Sequence, residues 1–176
     1  YRCEMIKRWP KNVNFAEFKE ACEVFVGYHD FSNFCRLDPD RSPTRSIESC
    51  QPWINADNQV IGFSVVAESF LWNQIRRIAS ALQQFANNDI QLTDIKHALE
   101  NPKQASDLGL ASADGLLLWE INHPDFSYKF QNSIIDHNMS RPPEGKRSHK
   151  QWLNLARMEN SSMLEREWLA LIQDVM

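Results

Sequence analysis

The chain has 176 residues, of which 43% are hydrophobic and 24% charged, so it can bury the core of one ordinary domain and is too apolar to be disordered. Its mean hydropathy of −0.50 and the lack of a long uncharged apolar run exclude a membrane-spanning helix. Its 19 basic and 23 acidic residues give a net charge of −4, which argues against a generic nucleic-acid-binding protein, because such proteins normally carry a basic excess.

The cysteines and histidines give no sign of a metal site. The four cysteines form no C-x-x-C pair, and no histidine lies four residues from another metal-type ligand. Four scattered cysteines in a chain of this length also do not define a disulfide scaffold. Residues 1–10 contain no apolar signal-peptide core. We therefore expect reduced thiols, no bound metal, no membrane association and a cytoplasmic protein.

The first quarter of the chain predicts a strand, a helix and a loop. Residues 1–6 are expected to be a strand. Residues 14–26 predict a helix, because apolar side chains recur on one stripe, and Gly27 follows as a natural stop. Residues 28–45 are polar and contain two prolines and three arginines, which indicates a structured loop.

Two strands come next. Residues 46–56 and 59–67 have strand character, and the second segment is rich in β-branched side chains. Asp57-Asn58 lies between them and predicts a tight hairpin.

The strongest helix is predicted at residues 69–86, with Ser69 as its N-cap. Its apolar positions advance by four, three, four and three residues through Leu71, Ile75, Ile78, Leu82 and Phe85. A shorter helix is expected at 93–100. The apolar run at 115–121 is short enough for a buried strand.

This order of elements predicts an α+β fold. It is close to a ferredoxin-like split β-α-β unit, with an antiparallel sheet and helices packed on one face. We assign that unit to residues 1–126 and expect residues 127–176 to form a linker and a C-terminal helical extension. The helix of this extension, at about 149–175, is expected to bury Trp152, Leu155, Leu164, Trp168, Leu171 and Ile172.

Three segments combine polar and apolar side chains in ways that could serve chemistry. In Gly27–Phe34 the structural alternative is a loop whose Phe31 and Phe34 fill the core while Asp30 caps backbone amides. In Ala111–Leu118 the alternative is a simple tight turn. Composition alone favours the structural alternative in both segments.

The third segment, Glu68–Ile78, carries two adjacent arginines. Neighbouring helical residues point about 100° apart, so Arg76 is expected to border the buried stripe while Arg77 lies further out. An inward arginine needs a carboxylate or phosphate partner, because an unpaired buried charge is costly. A structural ion pair would satisfy this requirement as well as a functional one.

In this order and spacing, the segments resemble one family, the tRNA pseudouridine synthases of the TruA type. The C-terminal half of that family carries G-x-H/N-D-F-x-x-F, then R-x-I, then F-x-A-x-x-F-L-x-x-x-V-R-x-I, then A-P-A-x-G-L-x-L. The matching stretches here are Gly27–Phe34, Arg45–Ile47, Phe63–Ile78 and Ala111–Leu118. The sequence SFLWNQIRRI, at residues 69–78, most resembles the archaeal and eukaryotic branches of the family. Departures are Ser112 in place of proline and Ser80 in place of glycine.

The resemblance covers residues 1 to about 124 and implies isomerisation of uridine to pseudouridine in tRNA, with the anticodon arm as the expected target. It implies no cofactor and no metal. The family's catalytic aspartate lies in a G-R-T/S-D-x-G-V-H-A motif of the N-terminal half, and no such motif occurs in this chain. We therefore expect the chain to be the C-terminal portion of a longer enzyme and to be inactive alone.

The resemblance also implies roles for individual residues. Arg76 matches the helix arginine that pairs with the catalytic aspartate. Tyr1 matches a tyrosine that packs against the target uracil, and Leu116 would line the apolar wall of the same pocket. Backbone phosphate contacts are expected from Arg36, Arg41 and Arg45. The basic stretch Lys146–Lys150 is a second candidate for such contacts, although a solvated linker is the simpler interpretation.

The expected partner is tRNA, and the resemblance leaves a homodimer open. Two alternatives belong to other classes. A non-catalytic RNA-binding module with a ferredoxin-like sheet would show exposed aromatics in its strands, and that signature is absent here. A protein-interaction domain would use the helix at 149–175 as its partner surface.

Overall fold

The computed structural model describes residues 2–3, 13–54, 58–113, 116, 118 and 146–175. In chain order these contain β1 (Arg2–Cys3), α1 (Phe15–Glu23), β2 (Gly27–Asp30), a 3₁₀ turn (Ser32–Phe34), β3 (Thr44–Ile54), β4 (Val60–Ala67), α2 (Gln74–Ala86), α3 (Leu92–Glu100) and α4 (Lys146–Val175).

The strands form one antiparallel sheet in the order β1-β4-β3-β2. The long strands β3 and β4 are paired from Ile47 opposite Ala67 to Ile54 opposite Val60. A register shift between Ile47 and Ser49 inserts an extra residue, so Ile47 and Cys50 are both buried although they are three residues apart. The bulge therefore keeps the apolar side chains of β3 on the core face of the sheet.

Helices cover that same face. Phe18 of α1, Phe63 of β4 and Leu82 of α2 are fully buried in a single hydrophobic cluster. Helix α1 is capped by Asn14, whose side-chain oxygen accepts hydrogen bonds from Ala16 N and Glu17 N. The predicted α+β architecture, with an antiparallel sheet and helices on one face, is confirmed.

The segment after α1 differs from the prediction. The helix ends at Glu23, and Gly27, with φ of +105°, begins strand β2 instead of ending a helix. Residues 28–30 are therefore strand, paired with Thr44–Ser46 of β3. This four-residue strand carries no apolar alternation. Its pairing with the longer β3 determines its conformation, and the local sequence pattern does not reveal that pairing.

Helix α2 begins five residues later than predicted, and Ser69 is not its N-cap. The N-cap is Asn73, in the left-handed conformation with φ of 63°. Gln74, the first helical residue, is fully buried and accepts a hydrogen bond from Leu71 N through its side chain at 2.8 Å. The apolar stripe of α2 is confirmed at the buried Ile75, Ile78 and Leu82. Residues 70–73 are not helical and end in a turn at 72–73, which periodicity alone cannot distinguish from helix.

The remaining predictions divide between confirmed elements and positions beyond the described residues. Helix α3 confirms the helix expected at 93–100 and has a capping box formed by Gln91 and Asp94. The Asp57 position of the hairpin, most of strand 1–6 and most of the run 115–121 lie outside the described residues. Of that run, Leu116 and Leu118 are described, and neither belongs to a strand.

Helix α4 confirms the C-terminal helix, which starts three residues earlier than expected. Its predicted burial is wrong at two positions, because Leu155 is 51% and Trp168 is 65% exposed. Among the described side chains of α4 the buried ones are Ala156 and Asn160, four residues apart on one side of the helix, while Leu164 is half-buried. At the described positions the helix therefore buries one small and one polar residue. The side chains of Trp152, Leu171 and Ile172 lie outside the described set.

In the part of the chain that the structure describes, no helix is both long and apolar enough to cross a membrane. The boundary between the α+β unit and the C-terminal extension, placed between residues 126 and 127, stays a prediction.

Candidate active site

Three stretches of chain meet at the start of α2. Arg36 N, in the loop after β2, donates to Trp72 O at 2.8 Å, and Ala111 N, in the loop after α3, donates to Arg76 O at 3.0 Å. The 3₁₀ turn Ser32–Phe34 also packs against α2. The three segments that stand out in the sequence are therefore neighbours in the fold.

The first of these segments is anchored by Asn33. Its side-chain amide donates to the carbonyl oxygens of Ala98 at 2.9 Å, Asn101 at 3.2 Å and Gln104 at 3.0 Å. Its side-chain oxygen accepts from Ser106 N at 3.0 Å. One buried side chain thus holds the end of α3 and the loop after it, a role that the sequence interpretation missed.

The other residues of Gly27–Phe34 have the structural roles that were the alternative to a chemical function. Phe31 and Phe34 are fully buried in the core, and Asp30 accepts hydrogen bonds from the backbone N and the hydroxyl of Ser32. The segment therefore supports the site and does not itself supply reactive groups.

Arg76 is half-buried, and its guanidinium is held by two uncharged acceptors. Nε donates to the carbonyl oxygen of Ala111 at 2.7 Å, and Nη1 donates to Oδ1 of Asn73 at 3.3 Å. The remaining donors are both hydrogens of Nη2 and one of Nη1. Among the described residues no carboxylate pairs with Arg76, so the positive charge is fixed in place and still available to an anion.

Arg77 has the structural ion pair that was considered for its neighbour. Its Nη1 lies 2.9 Å from Oδ1 of Asp107, which also accepts from Gly109 N at 2.9 Å. The backbone bond from Gly109, and then the guanidinium of Arg77, lower the pKa of Asp107 below its ordinary value. Asp107 is therefore committed to Arg77 and to the turn at Gly109.

That turn explains one departure from the family pattern. Gly109 has φ of +82°, and a Cβ added there would lie 2.6 Å from Oγ of Ser80. Ser80 stands where the family usually has glycine, and its side chain fits because glycine is the residue that faces it. Gln84 joins the two segments further, since its side-chain amide donates to Leu108 O at 2.5 Å.

The other predicted site residues are placed as follows. Tyr1 lies outside the described residues. Leu116 is half-buried and packs against the hydrophobic cluster, and its N–H donates to Ala113 O at 3.1 Å. Within the described ranges no group of three or more His, Cys, Asp or Glu side chains could hold a metal ion.

The three arginines predicted to contact phosphate differ in their surroundings. Arg41 is exposed and lies 3.7 Å from a carboxylate oxygen of Asp38. Arg45, on β3, donates to the carbonyl oxygens of Ser42 and Thr44. Arg36 is exposed, and its Cζ lies 3.9 Å from the ring centroid of Trp72.

Sequence reasoning therefore missed Asn73 and Trp72. Both lie in the turn before α2, inside the stretch that was interpreted as the first turn of the helix. The available signal was an asparagine three residues before an arginine, since asparagine tolerates the left-handed conformation better than most residues.

The chain is similar in sequence to a known family and to several known proteins. A model of the tRNA pseudouridine synthase family matches residues 21–124. A tRNA pseudouridine synthase A of Methanoculleus marisnigri is 35% identical over 126 residues, which are 72% of this chain and 44% of that protein. Proteins of the same name from Methanosphaera stadtmanae and Thermococcus kodakarensis are each 30% identical over 68% of this chain and 43% of their own length. The matched region thus spans less than half the length of these relatives, and the chain belongs to the TruA family of tRNA pseudouridine synthases.

Proposed function

We propose that this chain forms the C-terminal half of the catalytic domain of a tRNA pseudouridine synthase, and that it acts with a catalytic aspartate supplied by a segment outside these 176 residues. The enzyme would convert uridine to pseudouridine in tRNA, in the anticodon arm. The observation that carries the proposal is the guanidinium of Arg76, held by neutral acceptors and without a carboxylate partner among the described residues.

This arrangement suits an aspartate that must remain ionised next to an RNA base. A guanidinium favours the charged form of a nearby carboxylate and binds its two oxygens in a fixed geometry. Because Nε of Arg76 already donates to Ala111 O, the aspartate would approach end-on and contact Nη1 and Nη2. The carboxylate would then be oriented by the protein before the substrate arrives.

The substrate would reach this carboxylate by base flipping, because a uridine within a helix or stacked loop is inaccessible to the protein. In the proposal Tyr1 packs against the uracil and Leu116 lines the apolar wall of the pocket. Arg36, Arg41 and Arg45 contact backbone phosphates. The 3.7 Å ion pair of Arg41 with Asp38 is exposed and weak, so a phosphate can replace the carboxylate.

We further propose a cytoplasmic location. The free thiols of Cys22, Cys35 and Cys50 support it, since cysteines remain reduced in that compartment. Detection of the tagged protein in nuclear or organellar fractions alone would contradict it.

The decisive experiment is Arg76→Ala in the intact enzyme that contains this chain, with Arg77→Ala as the matched control. Formation of pseudouridine releases the hydrogen from C5 of uridine, so tritium release from [5-³H]uridine-labelled tRNA measures the reaction. We expect Arg76→Ala to reduce turnover by about 100- to 1000-fold, because the catalytic carboxylate loses the charged donor that orients it and keeps it ionised. Arg77→Ala removes the ion pair with Asp107, which supports the loop next to Arg76 but makes no contact with the catalytic aspartate, so it should lower turnover far less than Arg76→Ala. Full activity of Arg76→Ala would refute the role of this residue, and an inactive wild-type enzyme would refute the proposed function.

One observation supports a second candidate, a protein-interaction role for helix α4. Trp168 is 65% exposed, as a partner-binding helix would require. Deletion of residues 146–176 from the intact enzyme distinguishes the two functions. Unchanged tRNA turnover would separate α4 from catalysis, whereas loss of turnover in a folded protein would count against an independent interaction role.

A further inference from the structure

The turn before α2 carries an exposed aromatic ring with an arginine stacked on it. Trp72 is 63% exposed, and the Cζ of Arg36 lies 3.9 Å from its ring centroid, a cation–π contact. A hydrogen bond of 2.8 Å from Arg36 N to Trp72 O joins the two backbones. The ring and the guanidinium are therefore fixed relative to each other at the surface.

Arg36 is distinct among the three arginines predicted to contact phosphate. The guanidinium of Arg41 is near Asp38, and that of Arg45 donates to two backbone carbonyls. For Arg36 the described residues provide neither a carboxylate nor a side-chain hydrogen bond, only the ring of Trp72. All N–H donors of its guanidinium are thus available to an anion.

We propose that Trp72 and Arg36 form a stacking ledge for one unpaired nucleotide of the RNA substrate. The base stacks on the face of the Trp72 ring opposite the guanidinium, and Arg36 binds the phosphate of the same or the next nucleotide. This inference rests on the proposed function, because it takes RNA to be the substrate.

The position of the ledge explains why a nucleotide should bind there. Trp72 directly precedes Asn73, whose side chain holds the guanidinium of Arg76. When a uridine leaves the stack to reach Arg76, its neighbour in the RNA loses a stacking partner, which is part of the cost of base flipping. An aromatic ring beside the site replaces that partner, and stacking on an aromatic side chain accepts any base.

The stacked pair is not needed to hold the loop in place. The backbone bond from Arg36 to Trp72 already joins the loop to the turn, and a ring that is 63% exposed buries little apolar surface. A purely structural contact would change the stability of the protein when it is removed. The ledge predicts instead a change in RNA affinity with little change in the unfolding midpoint.

The test measures the Kd for substrate tRNA with the intact enzyme that contains this chain. Trp72→Ala should weaken binding by about 5- to 150-fold, the range for loss of one base–aromatic stack, while Trp72→Phe should retain most of the affinity. Phe15→Ala is the matched control, since Phe15 is also an exposed aromatic residue (46%) but lies on α1 and has no role in the proposed site. Equal Kd values for Trp72→Ala and Phe15→Ala would overturn the inference.

A double-mutant cycle tests the pairing with Arg36. The double variant Trp72→Ala/Arg36→Ala should lose less affinity than the product of the two single fold-losses, because each residue orients the other. The fold-losses of affinity for Trp72→Ala and Arg41→Ala should multiply in their double variant, since Arg41 does not touch the ring. Arg36→Ala should also reduce the slope of log affinity against log salt by about 0.7 to 0.9, the value for one lost phosphate contact. Multiplicative losses for Trp72 and Arg36 would refute the shared ledge.

The same measurements separate this inference from the proposed function. A wild-type enzyme that binds and modifies tRNA while Trp72→Ala behaves like wild type would overturn the ledge alone. A wild-type enzyme that neither binds nor modifies tRNA would overturn the proposed function and the ledge with it.

Discussion

Asn73 provides the sharpest test of how Arg76 is oriented. The residue has φ of 63°, and its side chain makes no capping bond to the backbone of α2. Its Oδ1 instead accepts from Nη1 of Arg76 at 3.3 Å. Asn73→Gly removes this acceptor and keeps a residue that adopts the left-handed conformation readily. The substitution therefore separates the orientation of the guanidinium from the shape of the turn.

The expected magnitude follows from the geometry of that bond. A hydrogen bond to a charged group contributes about 1.5 to 3 kcal/mol, and a donor–acceptor distance of 3.3 Å is longer than usual. The lower value, about 1.5 kcal/mol, corresponds to about a tenfold loss of turnover. We expect kcat to fall by that factor while KM for tRNA stays within about twofold, because Asn73 positions Arg76 and does not bind the RNA.

Two further variants complete this experiment, measured by tritium release in the intact enzyme. Asn88→Gly makes the same change at a second left-handed asparagine, an exposed residue with φ of 61° beyond the end of α2. It should leave kcat unchanged. Asn73→Asp retains an acceptor but adds a charge that pairs with Arg76 and competes with the catalytic aspartate, so its kcat should fall below that of Asn73→Gly. A kcat for Asn73→Gly equal to that of Asn88→Gly would refute the reasoning.

Three other predictions concern the loop after α3, and chemical or acid unfolding of the 176-residue chain measures each. Asn33→Ala should lower the free energy of unfolding by about 2 to 4 kcal/mol, because it leaves several buried backbone groups without a partner; a loss below about 0.5 kcal/mol would contradict this role. Gly109→Ala should destabilise the protein by about 1 to 3 kcal/mol, because the new Cβ clashes with Ser80 Oγ and the residue has a positive φ. Adding Ser80→Gly to this variant should relieve the clash but not the backbone strain. Since the folded protein lowers the pKa of Asp107, the stabilisation is complete above the unfolded pKa and is lost as the pH falls from about 4 downwards. Asp107→Asn should abolish this part of the pH dependence, and an unchanged acid-unfolding curve would contradict the assignment.

The sequence predicted the parts of the fold that depend on local patterning. The buried positions of α2, such as Ile75, Ile78 and Leu82, follow a helical period that requires no knowledge of the partner surface. The same applies to β4, where Phe63 and Val65 are buried two residues apart. In both segments the apolar stripe fixes the face that meets the core.

The features that were missed depend on contacts between distant segments. Strand β2 carries polar side chains and exists because it pairs with β3. The late start of α2 depends on the left-handed Asn73, whose side chain is held by Arg76. The burial expected for Leu155 and Trp168 was wrong because α4 buries Ala156 and Asn160 instead.

The two adjacent arginines show how the chain keeps one cation available. Oδ1 of Asp107 accepts from both Arg77 and Gly109 N, so the ion pair and the turn share one oxygen atom. Two residues beyond Gly109, the carbonyl of Ala111 accepts from Nε of Arg76. Arg77 therefore helps to shape the loop that orients Arg76. It also pairs with Asp107, the carboxylate that this loop places next to α2. Had Asp107 paired with Arg76, the inner charge would be neutralised within this chain, and a catalytic aspartate from elsewhere would find no partner.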